Sequence, residues 1–385
     1  MDIDQRIRPF TIDIPQADID DLHERLAHTR WATPLPGDSW QQGVPQATLR
    51  RLVEAWQAFD WRACESRLNA LEHITTVIDG QTVHAVHARS PHADATPIIL
   101  THGWPASFLE HLHLIEPLTQ PELHGGDAAD AFHVVITSVP GIGFSTPIAE
   151  GADVTDKGTA AMWLELMTRL GYERFVAHGG DLGAGIAPEI ARLAPERVIG
   201  VHISGTLGSF LSPDEAAEMQ LSELEQDRVA RVGGFMEREF GYIAIQGTRP
   251  SLVGTMLADS PVAQLAWMYD KLQSWTWPAE REATEILGLE WVLANASIYW
   301  FTRSGGSAAF VGYAQNTAWG EQEAPSGVPT AAIQFAHDVG IRAKAEQEHT
   351  IVRWTDIADR GGHFGAMEEP ETVIADLRAF VRGLR

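Results

Sequence analysis

Four short stretches of this chain carry residue types that could act on one another. The first is His178-Gly179-Gly180-Asp181-Leu182-Gly183, an acid between small residues directly after the apolar run Phe175-Val176-Ala177. The second, Thr101-His102-Gly103-Trp104-Pro105, follows Ile98-Ile99-Leu100. Asp338 stands just past the apolar run 331–335, and Gly361-Gly362-His363-Phe364 follows the run 351–357. In open α/β sheets reactive groups collect on loops beyond the carboxyl ends of strands, and all four stretches occupy such positions. Small-x-acid-x-small at a strand-to-helix turn has the form of a G-x-S-x-G nucleophile elbow with Asp in place of Ser. The chain order is then nucleophile, acid, histidine, the order used by the fold that carries this elbow.

A carboxylate nucleophile restricts the chemistry. Attack on an acyl carbon would give an anhydride, whereas displacement at an sp³ carbon gives an ordinary ester that water can cleave. Asp181 is therefore expected to attack an electrophilic alkyl carbon. Water activated by His363, with Asp338 as its charge partner, would then cleave the ester on Asp181. The oxyanion of that step forms on the enzyme itself, facing the backbone amides of Trp104 and Leu182. Trp104 and Pro105 are also expected to touch substrate.

Each stretch has a plainer reading. Asp181 could be a helix N-cap, and Gly103 to Pro105 an ordinary turn with a cis Trp-Pro bond. Asp338 competes with Glu346 and Glu348 for the acid role. His102, His178 and His337 read as hydrogen-bonded structural histidines. His111 and His113, two apart on a helical stretch, point different ways and do not make a metal site. The coincidence of four loops at the right strand ends favours the catalytic reading.

The elements that would position these residues follow from the pattern of apolar residues. Residues 1–72 read as an N-terminal helical extension, with Ile19, Leu22, Leu26 and then Leu49, Leu52, Trp56 at helical spacing. At Ile74 the period changes to two, and Asp79-Gly80 supplies a hairpin turn between 74–78 and 83–89. Apolar strands at 97–100, 132–139, 175–177 and 198–203 then alternate with helices at 160–170 and from Gly183, which calls for a mostly parallel sheet covered on both faces. That rhythm stops between 207 and 320, an acidic helical stretch holding Trp267, Trp275, Trp277, Trp291, Trp300 and Trp319. This reads as an inserted cap. Strands at 330–335 and 350–357 and a helix at 370–384 complete the sheet. The expected fold class is α/β, with the core split into 73–206 and 321–385.

Composition narrows the partners. With 385 residues, 44% of them hydrophobic, the chain can bury a large core. Its 28 Lys and Arg against 52 Asp and Glu give a net charge of −24, which repels phosphate backbones and anionic membranes. No nucleic-acid or membrane partner is expected, and the substrate should be small and neutral or cationic. One cysteine, Cys64, excludes an internal disulfide framework. The start lacks the basic and apolar regions of a signal peptide, no run of about 18 apolar residues is present, and a cytoplasmic location is expected. Neither CxxC nor HExxH occurs, so no metal and no cofactor is expected.

Epoxides and alkyl halides are the two substrates that suit such a nucleophile. An epoxide needs a proton for the emerging alkoxide, and a phenol of pKa about 10 supplies it. Of five tyrosines, Tyr242 and Tyr313 lie at either end of the cap and are the candidates.

With these residues in view, the chain resembles the microsomal-type epoxide hydrolases of the α/β-hydrolase fold over nearly its whole length. The likeness is carried by Arg8-Pro9-Phe10, Thr29-Arg30-Trp31, His102-Gly103-Trp104-Pro105, Gly141-Ile142-Gly143-Phe144-Ser145, Gly179-Gly180-Asp181 and 241–250, GYIAIQGTRP. It continues in Asp259-Ser260-Pro261-Val262, Val328-Pro329-Thr330, Gly361-Gly362-His363-Phe364 and Glu368-Glu369-Pro370. The resemblance implies Asp181 as nucleophile, His363 as base, Asp338 as charge partner, and Tyr242 with Tyr313 as donors to the epoxide oxygen. The match of Gly312-Tyr313-Ala314-Gln315-Asn316 to the family's second tyrosine is the looser one. Leu182 departs from the Trp usual after the nucleophile. Dehalogenases of this fold use that Trp to hold halide, so Leu182 weakens a dehalogenase as the alternative. Asp338 stands where Glu is frequent, and the membrane anchor of animal members is missing. Enzymes of natural-product biosynthesis and of detoxification both occur among the bacterial relatives. A homodimer is compatible with the resemblance, and nothing in the sequence decides it. A catalytically silent binding protein is the non-enzyme alternative, and the presence of every triad member speaks against it.

Overall fold

A computed structural model describes residues 6–211, 213–315 and 324–385. Trp319 and Asn316 lie outside the described residues. The chain opens with a short strand, β1 (Arg8–Phe10), and three helices, α1 (Gln16–Ala27), α2 (Gln46–Gln57) and α3 (Trp61–Leu68). The strand corrects the expectation of an all-helical preface. Arg8 pairs with Thr75 and Phe10 with His73, so the first residues add an edge strand to the sheet. The helices bury the stripes expected from spacing, Ile19, Leu22 and Leu26 on α1 and Leu52 and Trp56 on α2, although Leu49 is only half-buried.

The hairpin β2 (His73–Ile78) and β3 (Gln81–Ala88) turns at Asp79 and Gly80, whose φ values of 49° and 85° are the left-handed pair a two-residue turn demands. Then come β4 (Thr96–Thr101), α4 (Ile115–Thr119), β5 (Phe132–Thr137), α5 (Asp156–Arg169), β6 (Phe175–Gly180), α6 (Leu182–Leu193) and β7 (Val198–Ser204). Helix α5 begins four residues before the expected Ala160 because Thr155 caps it, its side chain accepting from the Gly158 N–H.

Among the described residues seven α-helices interrupt the alternation, as α7 (Pro213–Glu218), α8 (Glu223–Arg238), α9 (Gly241–Gln246), α10 (Pro250–Asp259), α11 (Pro261–Trp275), α12 (Leu289–Phe301) and α13 (Ser304–Gln315). The sheet resumes with β8 (Pro329–Gln334), α14 (Arg342–Glu348) and β9 (Thr350–Asp356), and the chain ends in α15 (Gly365–Glu368) and α16 (Pro370–Arg382). The nine strands lie in the order β1-β2-β3-β5-β4-β6-β7-β8-β9. The first four neighbours pair antiparallel, and everything from β5 to β9 is parallel. This is an α/β-hydrolase fold.

Ile98, Ile99 and Leu100 of β4 are fully buried, as are Val134, Val135 and Ile136 of β5, because helices cover both faces of the parallel part. Register then sets the height of the loops. Thr101 pairs with Gly179, Gly180 with Ser204, and Ser204 with Ile333, so β4, β6, β7 and β8 end at one level. The loops after them open on the same edge of the sheet, beneath the helices of 213–315. Among the described residues no helix is long and apolar enough to cross a membrane.

Candidate active site

Asp181 occupies the joint between β6 and α6 with φ 51° and ψ −116°, a backbone conformation that non-glycine residues rarely hold. Its side chain does not cap α6, which sets aside the N-cap reading. The small neighbours are there because nothing larger fits. A Cβ at Gly179 would lie 2.2 Å from the Gly183 carbonyl oxygen, and one at Gly183 would lie 2.1 Å from that of Thr101.

The carboxyl that this turn projects is held at both oxygens. Trp104 N–H donates to Oδ1 at 2.9 Å, and the Leu182 N–H hydrogen bonds to the same carboxyl. Nε2 of His363 lies 3.4 Å from Oδ2. The Asp181 side chain keeps 25% of its surface and that of His363 16%, so a small molecule can reach both. Burial by itself would raise the Asp181 pKa, but the hydrogen bond and charge of His363, with the two amides, outweigh it and hold the carboxyl below its usual range. Burial opposes a charge on His363 as well, yet Asp181, Asp338 and Glu110 together hold its pKa above the usual value. Each group of the pair thus favours the charged form of the other.

His363 is fixed by its backbone N–H, which donates to the Trp275 carbonyl at 2.9 Å, and by the Trp275 ring at 5.0 Å. Asp338 is 3% exposed and accepts from the Phe335 N–H at 2.7 Å. Burial pushes it up to about 6 against the opposing pull of Phe335, His363, Arg228 and Arg231. It acts on His363 through charge; no hydrogen bond joins the two. Glu346 and Glu348 are instead taken up on α14 by Arg342 and Lys344.

Tyr242 comes to this group from α9. Its ring stacks on Trp104 at 5.0 Å and 15°, with Trp275 at 5.6 Å and the Lys271 ammonium 5.3 Å above it. Burial first, then Asp181 and Glu239, push its pKa well above 10, so the phenol keeps its proton. Its hydroxyl has no hydrogen-bond partner among the described residues.

Tyr313, the other expected donor, stands on α13. It is 47% exposed and packs against Phe310 at 5.7 Å. The residue of α13 turned toward α9 is Gly312, where a Cβ would meet Gln246 at 3.8 Å. The other phenol near Asp181 is Tyr299 of α12, but its hydroxyl already donates to the Ala106 carbonyl at 2.7 Å. Replacing Tyr242 by Phe is accordingly expected to slow epoxide-dependent alkylation of the protein by on the order of 10²-fold. Tyr313→Phe is expected to slow it as well, by on the order of 10-fold. Rapid-quench mass measurement on both variants checks this.

Three histidines near strand ends are structural. His102 engages the Gly103 carbonyl and accepts from the Val139 N–H, and His178 meets His202 at 2.9 Å, which in turn meets Asp376 at 3.1 Å. His337 stacks on Trp277. Burial keeps His102 and His337 down to about 4 and His178 to about 3, so all three are neutral. His111 lies against the His178 ring and His113 against the Ala366 carbonyl, in different directions. The Trp104-Pro105 bond is cis. Pro105 also accepts from Asn295 through its carbonyl at 2.7 Å.

Two buried acids at the site had no role assigned from sequence. Glu110 follows the Trp104-Pro105 loop, and Glu368 accepts from the N–H groups of Trp277 and Phe364. Burial pushes them up to about 8 and about 7. A groove of about 620 Å³ between residues 25–49 and the start of α11 is lined by none of these residues.

Residues 7–111 match the family model described as epoxide hydrolase N terminus, and residues 96–238 match that of the alpha/beta hydrolase fold. A Stigmatella aurantiaca protein assigned by name to the epoxide hydrolases is 41% identical over 383 residues, 98% of this chain and 86% of that protein. Epoxide hydrolase 1 of Oryctolagus cuniculus is 30% identical over 98% of this chain and 89% of its own. The crystal structure of juvenile hormone epoxide hydrolase from Bombyx mori superposes with a TM-score of 0.89 at 26% identity, covering 100% of this chain and 96% of that one.

Proposed function

This chain belongs to the epoxide hydrolases of the α/β-hydrolase fold, and from that membership we propose that it converts a small neutral epoxide to a vicinal diol through an ester on Asp181. The observation that carries the reading is a single constellation. Asp181 stands on a strained elbow with its carboxyl on two amides and Oδ2 facing His363, while the uncommitted phenol of Tyr242 lies stacked on the same loop.

In the first half-reaction an oxygen of Asp181 displaces the epoxide oxygen from carbon as Tyr242 gives that oxygen its proton. Tyr313 of α13 serves as the second donor to that oxygen. In the second half-reaction His363 takes a proton from water, which attacks Cγ of Asp181, and the Trp104 and Leu182 amides stabilise the oxyanion. Asp338 favours the imidazolium that forms. Trp104 and Pro105 line the floor of the substrate's place and the helices of 207–320 serve as a cap over it, with 1–72 as a brace and 73–206 and 321–385 as the core. No step requires a cofactor.

A single turnover in ¹⁸O-labelled water tests the covalent route. With enzyme in excess over styrene oxide, the diol should leave unlabelled and peptide mass spectrometry should find one heavy oxygen in Asp181. Label in the diol with none in Asp181 would mean direct attack by water and would overturn the reading.

A further inference from the structure

Beneath the loop that follows β4 lies a carboxyl that no step above uses. Glu110 sits in the helical turn Phe108–Leu114 and is 7% exposed. Its carboxyl accepts from the backbone N–H of Gly103. On the other side of Gly103 is the nucleophile, since a Cβ built there would fall 2.2 Å from Oδ1 of Asp181. One glycine therefore separates two carboxyls. Among the described residues no Lys or Arg pairs with Glu110, and the side-chain charges acting on it are those of His363, Asp181 and Glu368.

A buried carboxyl without a cation is costly to keep. Holding the Gly103 N–H does not require one, because a glutamine would accept the same bond without an ionisable group. The loop between the two carboxyls is also fixed from above, where Asn295 donates to the Pro105 carbonyl and Tyr299 to that of Ala106. The spacing of Glu110 from Asp181 and His363 is thus set by the fold and not by side-chain freedom.

The water that cleaves the ester has two hydrogens, and His363 receives one of them. We propose that Glu110 holds the other, so that it positions the attacking water and acts in the hydrolytic half-reaction alone. The proposal rests on the ester on Asp181 described above. As the water oxygen bonds to Cγ, one O–H bond breaks and its proton passes to Nε2 of His363. The bond from Cγ to the alkyl oxygen then breaks, and the imidazolium protonates the departing alkoxide. The second hydrogen remains on the oxygen now belonging to Asp181, against Glu110. It leaves when Asp181 ionises, and the proton lent by Tyr242 to the epoxide oxygen is thereby restored. Glu110 begins and ends the cycle in the same protonation state.

The test separates the two half-reactions. Full-length wild type, Glu110→Gln, Glu110→Asp and His363→Gln are mixed with excess styrene oxide, quenched over time and weighed intact. The expected result for Glu110→Gln is alkylation within about twofold of wild type and ester hydrolysis slower by on the order of 10²-fold, so that protein bearing the added mass accumulates. Glu110→Asp, which withdraws the carboxyl by one methylene, should do the same in smaller measure, and it carries the test if the Gln variant does not fold. Hydrolysis of the ester at the wild-type rate in Glu110→Gln would overturn the proposal. So would alkylation falling as far as hydrolysis, the mark of a merely structural residue. If His363→Gln traps no ester, the covalent reading itself fails, and the role of Glu110 falls with it.

Discussion

Asp181→Ala is expected to abolish turnover, with kcat/KM for any epoxide falling by at least roughly 10⁴-fold, or about 5.4 kcal/mol of transition-state stabilisation. The size follows from what is lost. Every step passes through an oxygen of this side chain, and no second carboxyl can replace it. Glu110 stands behind Gly103 and its carboxyl is held by an N–H of the loop, while Asp338 is tied to the Phe335 N–H on the far side of His363. The variant should fold normally, because removing the carboxyl relieves the like-charge pressure on Glu110 and Asp156. A thermal melt within a few degrees of wild type, together with complete loss of added mass on exposure to styrene oxide, is the expected pair of results. Residual alkylation at another residue would place the nucleophile elsewhere.

The second large effect belongs to His363. His363→Gln should keep alkylation but lower steady-state turnover by on the order of 10³-fold, leaving the ester on Asp181 stable enough to weigh. The pH dependence of the wild type should run the same way. In the resting enzyme Asp181, Asp338 and Glu110 raise the His363 pKa against the effect of burial. Esterification removes the charge of Asp181, the strongest of these influences, so the imidazole pKa falls when it is needed as a base. Asp181, held below the usual carboxylate range, stays ionised well into acid, and alkylation persists there. As pH falls through the His363 pKa of the ester form, the base is lost and hydrolysis slows first. Ester should therefore accumulate in mildly acidic quenches and be absent in mildly alkaline ones, and the reverse order would contradict these roles.

What could be read beforehand was whatever is fixed by strand ends. Asp181, His363, Trp104 and Leu182 are brought together because β4, β6, β7 and β8 end at one level and β9 leads into the His363 loop, and apolar runs mark strands well. Asp338 was named from chain order and resemblance although Glu346 and Glu348 competed with it, and on α14 those two pair with Arg342 and Lys344. Edge strand β1 is three residues long, too short for a period of two to show. Glu110 was invisible because FLEHLHL reads as an ordinary amphipathic turn, and nothing in its composition announces that an acid there is buried.

Trp104 serves the two half-reactions with different parts of itself. Its amide holds the oxygen of Asp181, and its indole carries the ring of Tyr242. The first is a property of the backbone and survives any side chain that the turn accepts; the second belongs to the side chain alone. Selectivity between the two carbons of an epoxide depends on where the proton donor stands relative to the nucleophile, and here that offset is the thickness and tilt of one indole. Changing the Trp104 side chain is therefore expected to move the proton donor relative to the nucleophile while the amide on Asp181 stays in place.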